Sequence, residues 1–397
     1  MNLKFRKNTA IYFFFIAFFG FTSWLQAQDL SLQMALDSAL ANSLTIKNLD
    51  LKIQGLEIAK KASFNLGNLN IAFQNGQTQG LNTDYTLTLN QTISNPVLQS
   101  KKKKEAQALL EREEKKRELS KKSIERDVKS AWYEWQYASN LIKVYENQIK
   151  ITEKALQKAE KQVELGEIAQ SELALLKIRQ EQLMYDLSQV KIANIQAKKQ
   201  VLSLCLLQNK VKIEASDFTI IAHQNTFSDL PNEDLLAYQQ ANNLYKKQQV
   251  KTAKAKYLPD FSIGYFTQSM DKMGGFDGFQ VGISIPILQN NQAVKRANID
   301  TQIAENELEI TRQNMNYYYR ELLAKKKQYS NYYDTHIKNW SEQSQILKKA
   351  LEKELELGEI DYLRFVQINQ QAFDFELKKL EIIDKINQSL ILIQYFN

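Results

Sequence analysis

The chain has 397 residues, with only 12 glycines, 4 prolines and a single cysteine, and its 52 Lys and Arg stand against 45 Asp and Glu. So few chain breakers exclude a string of small domains and favour long, uninterrupted elements, and one cysteine excludes an intrachain disulfide framework. A formal charge of +7 is mild for this length and excludes a strongly basic nucleic-acid binder.

In chain order, Lys4, Arg6 and Lys7 precede an apolar run from Ala10 to Phe21 and the small residue Ala27. This pattern predicts a secretory signal peptide over 1–27, because the apolar run falls short of the ~20 residues of a membrane-spanning helix. Without it, 49 basic residues face 45 acidic ones. A first repeat over 28–208 opens with a helix from about Leu30 to Ser63, with Leu32, Ala35, Leu36, Ala39 and Leu40 on one face. Strands "NLNIAFQ" and "YTLTLNQTI" form a β-hairpin over 68–93. A long helix covers 97–165, which is ~104 Å at 1.5 Å per residue. Lys101–Lys104 lies in its solvated first turns. After a turn at Gly166 a helix returns from Glu167 to about Leu207, with Leu173, Leu176, Leu183, Leu187, Val190, Ile195, Val201 and Leu204 as its seam. Cys205, in "VLSLCLL", reads as a buried small hydrophobe.

An irregular linker over 209–231 leads to a second repeat, 232–397, with the same order. It has a helix over 232–256, a β-hairpin over 261–287, a long helix over 288–357, a turn at Gly358 and a returning helix from Glu359 to about Tyr395. ELGEI occurs at 164–168 and at 356–360, and Ile71 and Ile263 keep the same offset, so the chain reads as a duplication. Glycine costs about 1 kcal/mol inside a helix but none at a left-handed cap. Gly166 and Gly358 are therefore expected to turn two antiparallel helical hairpins, with Glu167 and Glu359 starting the returning helices.

The strands alternate. Tyr85, Leu87, Leu89 and Ile93 oppose Thr86, Thr88, Asn90 and Thr92. Phe261, Ile263 and Tyr265 oppose Ser262 and Gly264, and Phe279, Val281, Ile283 and Ile285 oppose Gln280, Gly282 and Ser284. Their lengths suit tilted membrane strands with the apolar set facing lipid. Four strands cannot close a membrane barrel, whose smallest form has ~8, and lipid does not tolerate open edges. Several copies must then pool their strands around a wet lumen that the helices prolong. The fold class is mainly α with a small membrane β part: coiled-coil hairpins and four strands per chain, forming an α-barrel/β-barrel channel. A competing reading is a soluble periplasmic adaptor or coiled-coil scaffold whose strands face a core.

Catalytic and metal chemistry find no footing. His223 and His336 are far apart, the acidic residues follow helical surface spacing, and there is no phosphate loop, so neither an enzyme nor a cofactor is expected. Tyr317–Tyr319 and Trp132–Trp135 read as packing residues.

The segments "LSLQMALDSALANS", "YLPDFSIGYF" followed by "GFQVGISIPIL", and both ELGEI turns resemble the TolC-like outer-membrane efflux family over nearly the whole chain after the signal. "YLPDFSIGYFTQSM" with "ELGEIDYLRF" looks closer to its heavy-metal branch, associated with metal-exporting resistance–nodulation–division (RND) pumps. The resemblance implies a homotrimer with a twelve-strand barrel in outer-membrane lipid and a helical tunnel across the periplasm. It implies a periplasmic adaptor (membrane fusion protein) and an inner-membrane RND pump as partners, with metal cations or other small molecules as cargo. Carried over residue by residue, it makes Leu165, Gly166, Glu167, Ile168, Leu357, Gly358, Glu359 and Ile360 the adaptor-docking tips. It also suggests Glu359 and Asp361 as an acidic gate at the tunnel entrance, although a helix N-terminus explains acidic residues there equally well. Two departures stand out: Ser43 replaces the proline many members carry after Asn, and "PILQNNQ" lacks glycines often found after the barrel.

Overall fold

The computed structural model describes residues 30–61, 67–77, 83–207, 216–222, 227–270, 274–286 and 291–397; the expected signal and His223 lie outside the described residues. Ser31 starts the first helix, its hydroxyl accepting the Met34 N–H at 3.2 Å, and α1 runs Leu32–Asn42. The single helix expected over Leu30–Ser63 is broken. Ser43 leaves helical geometry at ψ 114° and α2 restarts over Leu44–Lys61. The Ser43 hydroxyl accepts the Ile46 N–H at 3.3 Å, so the residue at the break also caps α2.

Strands β1 (Leu69–Gly76), β2 (Asp84–Ile93), β3 (Asp260–Met270) and β4 (Gly274–Ser284) form one antiparallel sheet in the order β1-β2-β3-β4. The two expected hairpins are thus joined, because β2 pairs with β3 from Tyr85↔Ser269 to Ile93↔Phe261. β4 begins at Gly274, well before the alternating residues from Phe279 on, since the glycine-rich stretch ahead of them pairs with Phe266–Met270. At the foot of the sheet Asn95 ties the halves together. Its backbone N–H donates to Asp260 Oδ1 at 2.8 Å and its side-chain amide to the Pro259 carbonyl at 2.9 Å. Its own Oδ1 accepts the Val97 N–H at 2.8 Å, and Pro96 occupies the first helical position, so Asn95 also starts α3.

α3 runs unbroken over Pro96–Glu164, 69 residues. α4 returns over Gln170–Cys205. In the second half a 3₁₀ turn, Glu233–Leu236, precedes α5, Ala237–Ala255. The second long helix is not continuous: α6 (Gln292–Tyr332) passes through a π-helical turn, Tyr333–Ile337, into α7 (Lys338–Glu356), and α8 returns over Tyr362–Phe396.

The short and returning helices stack end to end beside the long ones, and polar contacts mark both joints. Ser38 Oγ and Asn42 Nδ2 donate to the Cys205 carbonyl at 3.1 and 3.3 Å, joining α1 to the end of α4. The Asn232 N–H donates to the Phe396 carbonyl at 2.7 Å, joining the 3₁₀ turn to the end of α8. Around the first joint Leu36, Val128, Trp132, Trp135, Val201 and Cys205 form the main core, with the two tryptophan rings edge to face at 5.5 Å. Burial pushes the Cys205 thiol up to about 11, as for an inert packing residue.

Lateral packing fixes what lies at the edges. Near the sheet α2 packs on α3, α3 on α5 and α5 on α6; towards the turns α4 packs on α3, α3 on α8 and α8 on α7. The edge elements are therefore α2 and α6 above, α4 and α7 below, and β1 and β4 in the sheet. Lys52 Nζ reaches the buried Glu113 Oε2 at 3.1 Å between α2 and α3, and Lys247 reaches Glu305 at 2.9 Å between α5 and α6. Burial pushes the Glu113 carboxyl up, but hydrogen bonds from Arg112 and Lys52 outweigh it and hold it below its ordinary value.

Candidate functional site

The two ELGEI turns close with the same geometry. Gly166 and Gly358 adopt φ +75° and +71°. The Gly166 and Glu167 N–H groups donate to the carbonyls of Val163 (3.0 Å) and Gln162 (2.8 Å). Those of Gly358 and Glu359 donate to Leu355 (3.3 Å) and Glu354 (2.9 Å) in the same pattern. Each is a Schellman motif with glycine at the left-handed position, as the helix-interior glycines predict. A Cβ at either glycine would meet nothing within 4 Å, so backbone conformation, not space, requires glycine.

The returning helices begin later than expected. Glu167 and Glu359 stay in the turns, and the helices start at Gln170 and Tyr362. The second start is capped: the Arg364 N–H donates to Asp361 Oδ1 at 2.6 Å. The first is not, because Ala169 holds the N-cap position. Asp361 thus has a capping duty, and both it and Glu359 are exposed.

Within each turn the same residues point the same way. Leu165 and Leu357 project from the apex, 73% and 62% exposed, while Ile168 and Ile360 are half-buried. Ile168 joins a cluster with Leu156, Leu173 and Leu176 that also takes Phe365 and Val366 from α8. That cluster brings both turns to one end of the molecule, far from the sheet.

At the other end the strand register puts all the expected lipid-facing residues within the strands on one face. Tyr85, Leu87, Leu89 and Ile93 share it with Phe261, Ile263 and Tyr265, and with Phe279, Val281 and Ile283. Ile285 lies exposed just past the end of β4. Sequence reasoning missed Leu69, Ile71 and Phe73, which pair with Gln91, Leu89 and Leu87 and complete this face; their alternation with Asn70, Ala72 and Gln74 was the available signal. The apolar band is centred on Ile71 and Leu89 in β1 and β2, but on Ile263 and Val281, one cross-strand pair nearer the helices, in β3 and β4. A level band on tilted strands drifts in this way. Phe279 and Val281 are 83% and 77% exposed. The opposite face carries Thr86, Thr88, Asn90, Gln268 and Gln280, with Gly264, Gly278 and Gly282 among them.

The edge helices carry apolar stripes that are exposed among the described residues. On α2, Leu44, Leu51 and Ile58 recur every seven residues and are exposed. On α6, Ile303, Ile310 and Tyr317 do the same, as do Ile178, Tyr185 and Ile192 on α4. Two packing expectations change here. Ile195, expected in the inner seam of α4, is exposed, and of Tyr317–Tyr319 only Tyr319 is fully buried. Both Ile195 and Tyr317 belong to the outward edges.

Among the described residues no group of three or more His, Cys, Asp or Glu could hold a metal ion, and no helix is long and apolar enough to cross a membrane.

No protein-family model and no curated protein matches the chain. Solved structures do. OprN, an outer-membrane channel, superposes with a TM-score of 0.77 at 12% identity over 92% of this chain and 89% of its own. The Campylobacter jejuni CmeC outer membrane channel gives 0.76 at 12% over 92% and 84%. CusC, studied for its folding and transmembrane channel formation, gives 0.74 at 14% over 92% and 91%. The chain has the fold of these channel proteins, nearly end to end.

Proposed function

We propose that this chain is the outer-membrane channel of a tripartite efflux system, a passive homotrimeric duct through which metal cations or other small molecules leave the cell. The observation that carries this reading is the coincidence of open edges. Among the described residues β1 and β4 have unpaired edges, and the helices flanking them, α2 and α6, carry exposed heptad stripes. An open sheet edge in lipid costs several kcal/mol per unpaired backbone group. Joining β1 and α2 of one copy to β4 and α6 of the next satisfies both at once. Such a contact between unlike surfaces generates a ring when the rotation closes, and three copies of this four-stranded sheet supply twelve strands. The apolar face then meets lipid and the polar face lines the lumen. A soluble adaptor or scaffold would leave the apolar sheet face bare.

The fold shared with outer-membrane channels supports the same localisation, with the helices in the periplasm. The heavy-metal branch rests on the sequence resemblance alone. In this reading the apices at Leu165–Ile168 and Leu357–Ile360 dock the periplasmic adaptor, which links the duct to an RND-type pump in the inner membrane. Exposed leucines at both apices suit a helical partner. Glu359 and Asp361, tripled around the ring, would place acidic side chains at the entrance, where they favour cations. The duplicated order of elements also fits descent from a single repeat.

Light scattering on detergent-solubilised protein tests the ring. The proposal predicts a mass of three chains, each of 46.1 kDa less the expected signal peptide, and dissociation on combining Ile303→Asp with Ile310→Asp. A monodisperse monomer that needs no detergent contradicts it.

A further inference from the structure

The excess positive charge is not spread along the molecule. Where each of the four sheet-flanking helices approaches its strand, basic residues gather: Lys60 and Lys61 end α2, Lys101–Lys104 open α3, Lys251, Lys254 and Lys256 end α5, and Lys295 and Arg296 open α6. The windows 57–61, 96–105, 251–260 and 291–300 hold eleven basic and four acidic side chains. Of the 49 basic and 45 acidic residues beyond the expected signal, that leaves 38 and 41 for everything else, a net negative remainder. Lys102–Lys104, Lys254, Lys256, Lys295 and Arg296 are exposed. The ion pairs Lys52–Glu113 and Lys247–Glu305 engage other lysines of these helices, farther from the sheet.

The four clusters lie side by side because the helices pack in the same order as the strands they flank. Lys101 is five residues into α3 and Lys295 three residues into α6, roughly 8 and 5 Å along the helix axes. The headgroup layer on each side of a bilayer is about 5–8 Å thick. With the apolar band of the sheet in the hydrocarbon, the collar falls at that layer and just beyond it.

We infer that this collar is a binding surface for anionic phospholipid headgroups of the leaflet next to the helices, with lysine ammonium groups meeting lipid phosphates. It rests on the membrane reading of the sheet and adds a partner to it. Lysine suits this role, because a compact charge on a flexible stem reaches whichever headgroup is near without demanding fixed geometry. The collar would set the depth of the sheet in the membrane and resist withdrawal of the duct under load from the helices.

Native mass spectrometry of the full chain in detergent, titrated with phosphatidylglycerol or phosphatidylcholine, reads the preference. Phosphatidylglycerol should bind at least about tenfold tighter, since one basic group near an anionic surface contributes roughly fivefold. K102Q/K103Q/K104Q combined with K295Q/R296Q should lower that ratio at least about fivefold, the contribution of one basic group. K102R/K103R/K104R should keep it, and so should K198Q/K199Q, which removes charge from α4 far from the sheet. Equal affinity for the two lipids in the unaltered chain overturns the inference. So does a glutamine variant that keeps the lipid preference while its cation-to-anion permeability changes, which would assign the charges to the lumen. A chain that enters neutral bilayers and conducts without any lipid preference defeats the collar alone. One that enters no bilayer defeats the membrane reading beneath it.

Discussion

α3 and the α6–α7 pair are near-equals in length and sequence position, yet they sit in opposite surroundings. α3 is the spine: it packs on α2, α5, α4 and α8, and its buried residues run from Ala108 to Ala159. α7 packs mainly on α8; among its described side chains Ser344 and Leu351 are buried, while Trp340 and Ile346 are exposed. The inward positions explain the π-turn between α6 and α7. Leu308, Met315, Leu322 and Tyr329 recur every seven residues, and Ile337, Ser344 and Leu351 do so again, but the step from Tyr329 to Ile337 is eight. One extra residue would rotate the following face by about 100°. A single wider turn absorbs it and keeps Ile337 fully buried. An edge helix tolerates such an insertion; a helix packed on two flanks does not.

The largest expected effect is on deletion. Removing Thr335 from the π-turn should let α6 and α7 join as a regular helix, changing stability by less than about 1 kcal/mol. Removing Lys143 from α3 should rotate Thr152, Ala155 and Ala159 away from their partners and abolish folding, as circular dichroism on detergent-purified protein would report. Equal tolerance at both sites would break the contrast between spine and edge.

A second effect separates the returning helices. Positions 192 in α4 and 384 in α8 are separated by the same offset as the two ELGEI segments, but Ile192 is exposed whereas Asp384 is half-buried and feels the charge of Glu134 on α3. Burial first, then the negative charges of Glu134 and Glu381, raise the Asp384 carboxyl to about 6. A raised acid is favoured protonated in the folded state, so its ionisation costs stability as pH rises from about 4 to above 6. Asp384→Asn should therefore stabilise at pH 7.5, by about 1–2 kcal/mol after allowance for solvent screening, and have little effect at pH 4. Urea midpoints at both values check this, and a gain that is the same at both would contradict it.

The smallest effect concerns the turns. Asp361→Ala removes a cap worth about 1 kcal/mol, whereas Ala169→Asp should supply one of similar size to the first hairpin. Hydrogen exchange at the first turns of α8 and α4 would show protection lost in one and gained in the other.

Much of this was legible from residue types alone. Gly166 and Gly358 announced left-handed turns because long helices give glycine few other reasons to recur. The alternation of Phe279, Val281 and Ile283 announced a two-faced strand. The features that escaped were carried by spacing or by edges. A serine alone is a weak sign of a break; the Ser43 hydroxyl marks the joint only through its cap on the Ile46 N–H. The π-turn was hidden in one eight-residue step. Ile195 and Tyr317 look like packing residues in the sequence, because apolar side chains at helical spacing look alike whether they pack within the chain or face outward. Joining of the two hairpins into one sheet depends on β2 and β3, which are separated by more than 160 residues, so no local pattern reports it.

Closure of several copies of this chain into a water-filled duct is tested most directly by conductance of the purified protein in a planar lipid bilayer. Discrete ion-conducting steps are expected, and they should disappear when Ile303→Asp and Ile310→Asp open the helical edge. A folded trimer that enters the bilayer and never conducts, even with the Leu165 and Leu357 tips altered to loosen the far end, would contradict the duct.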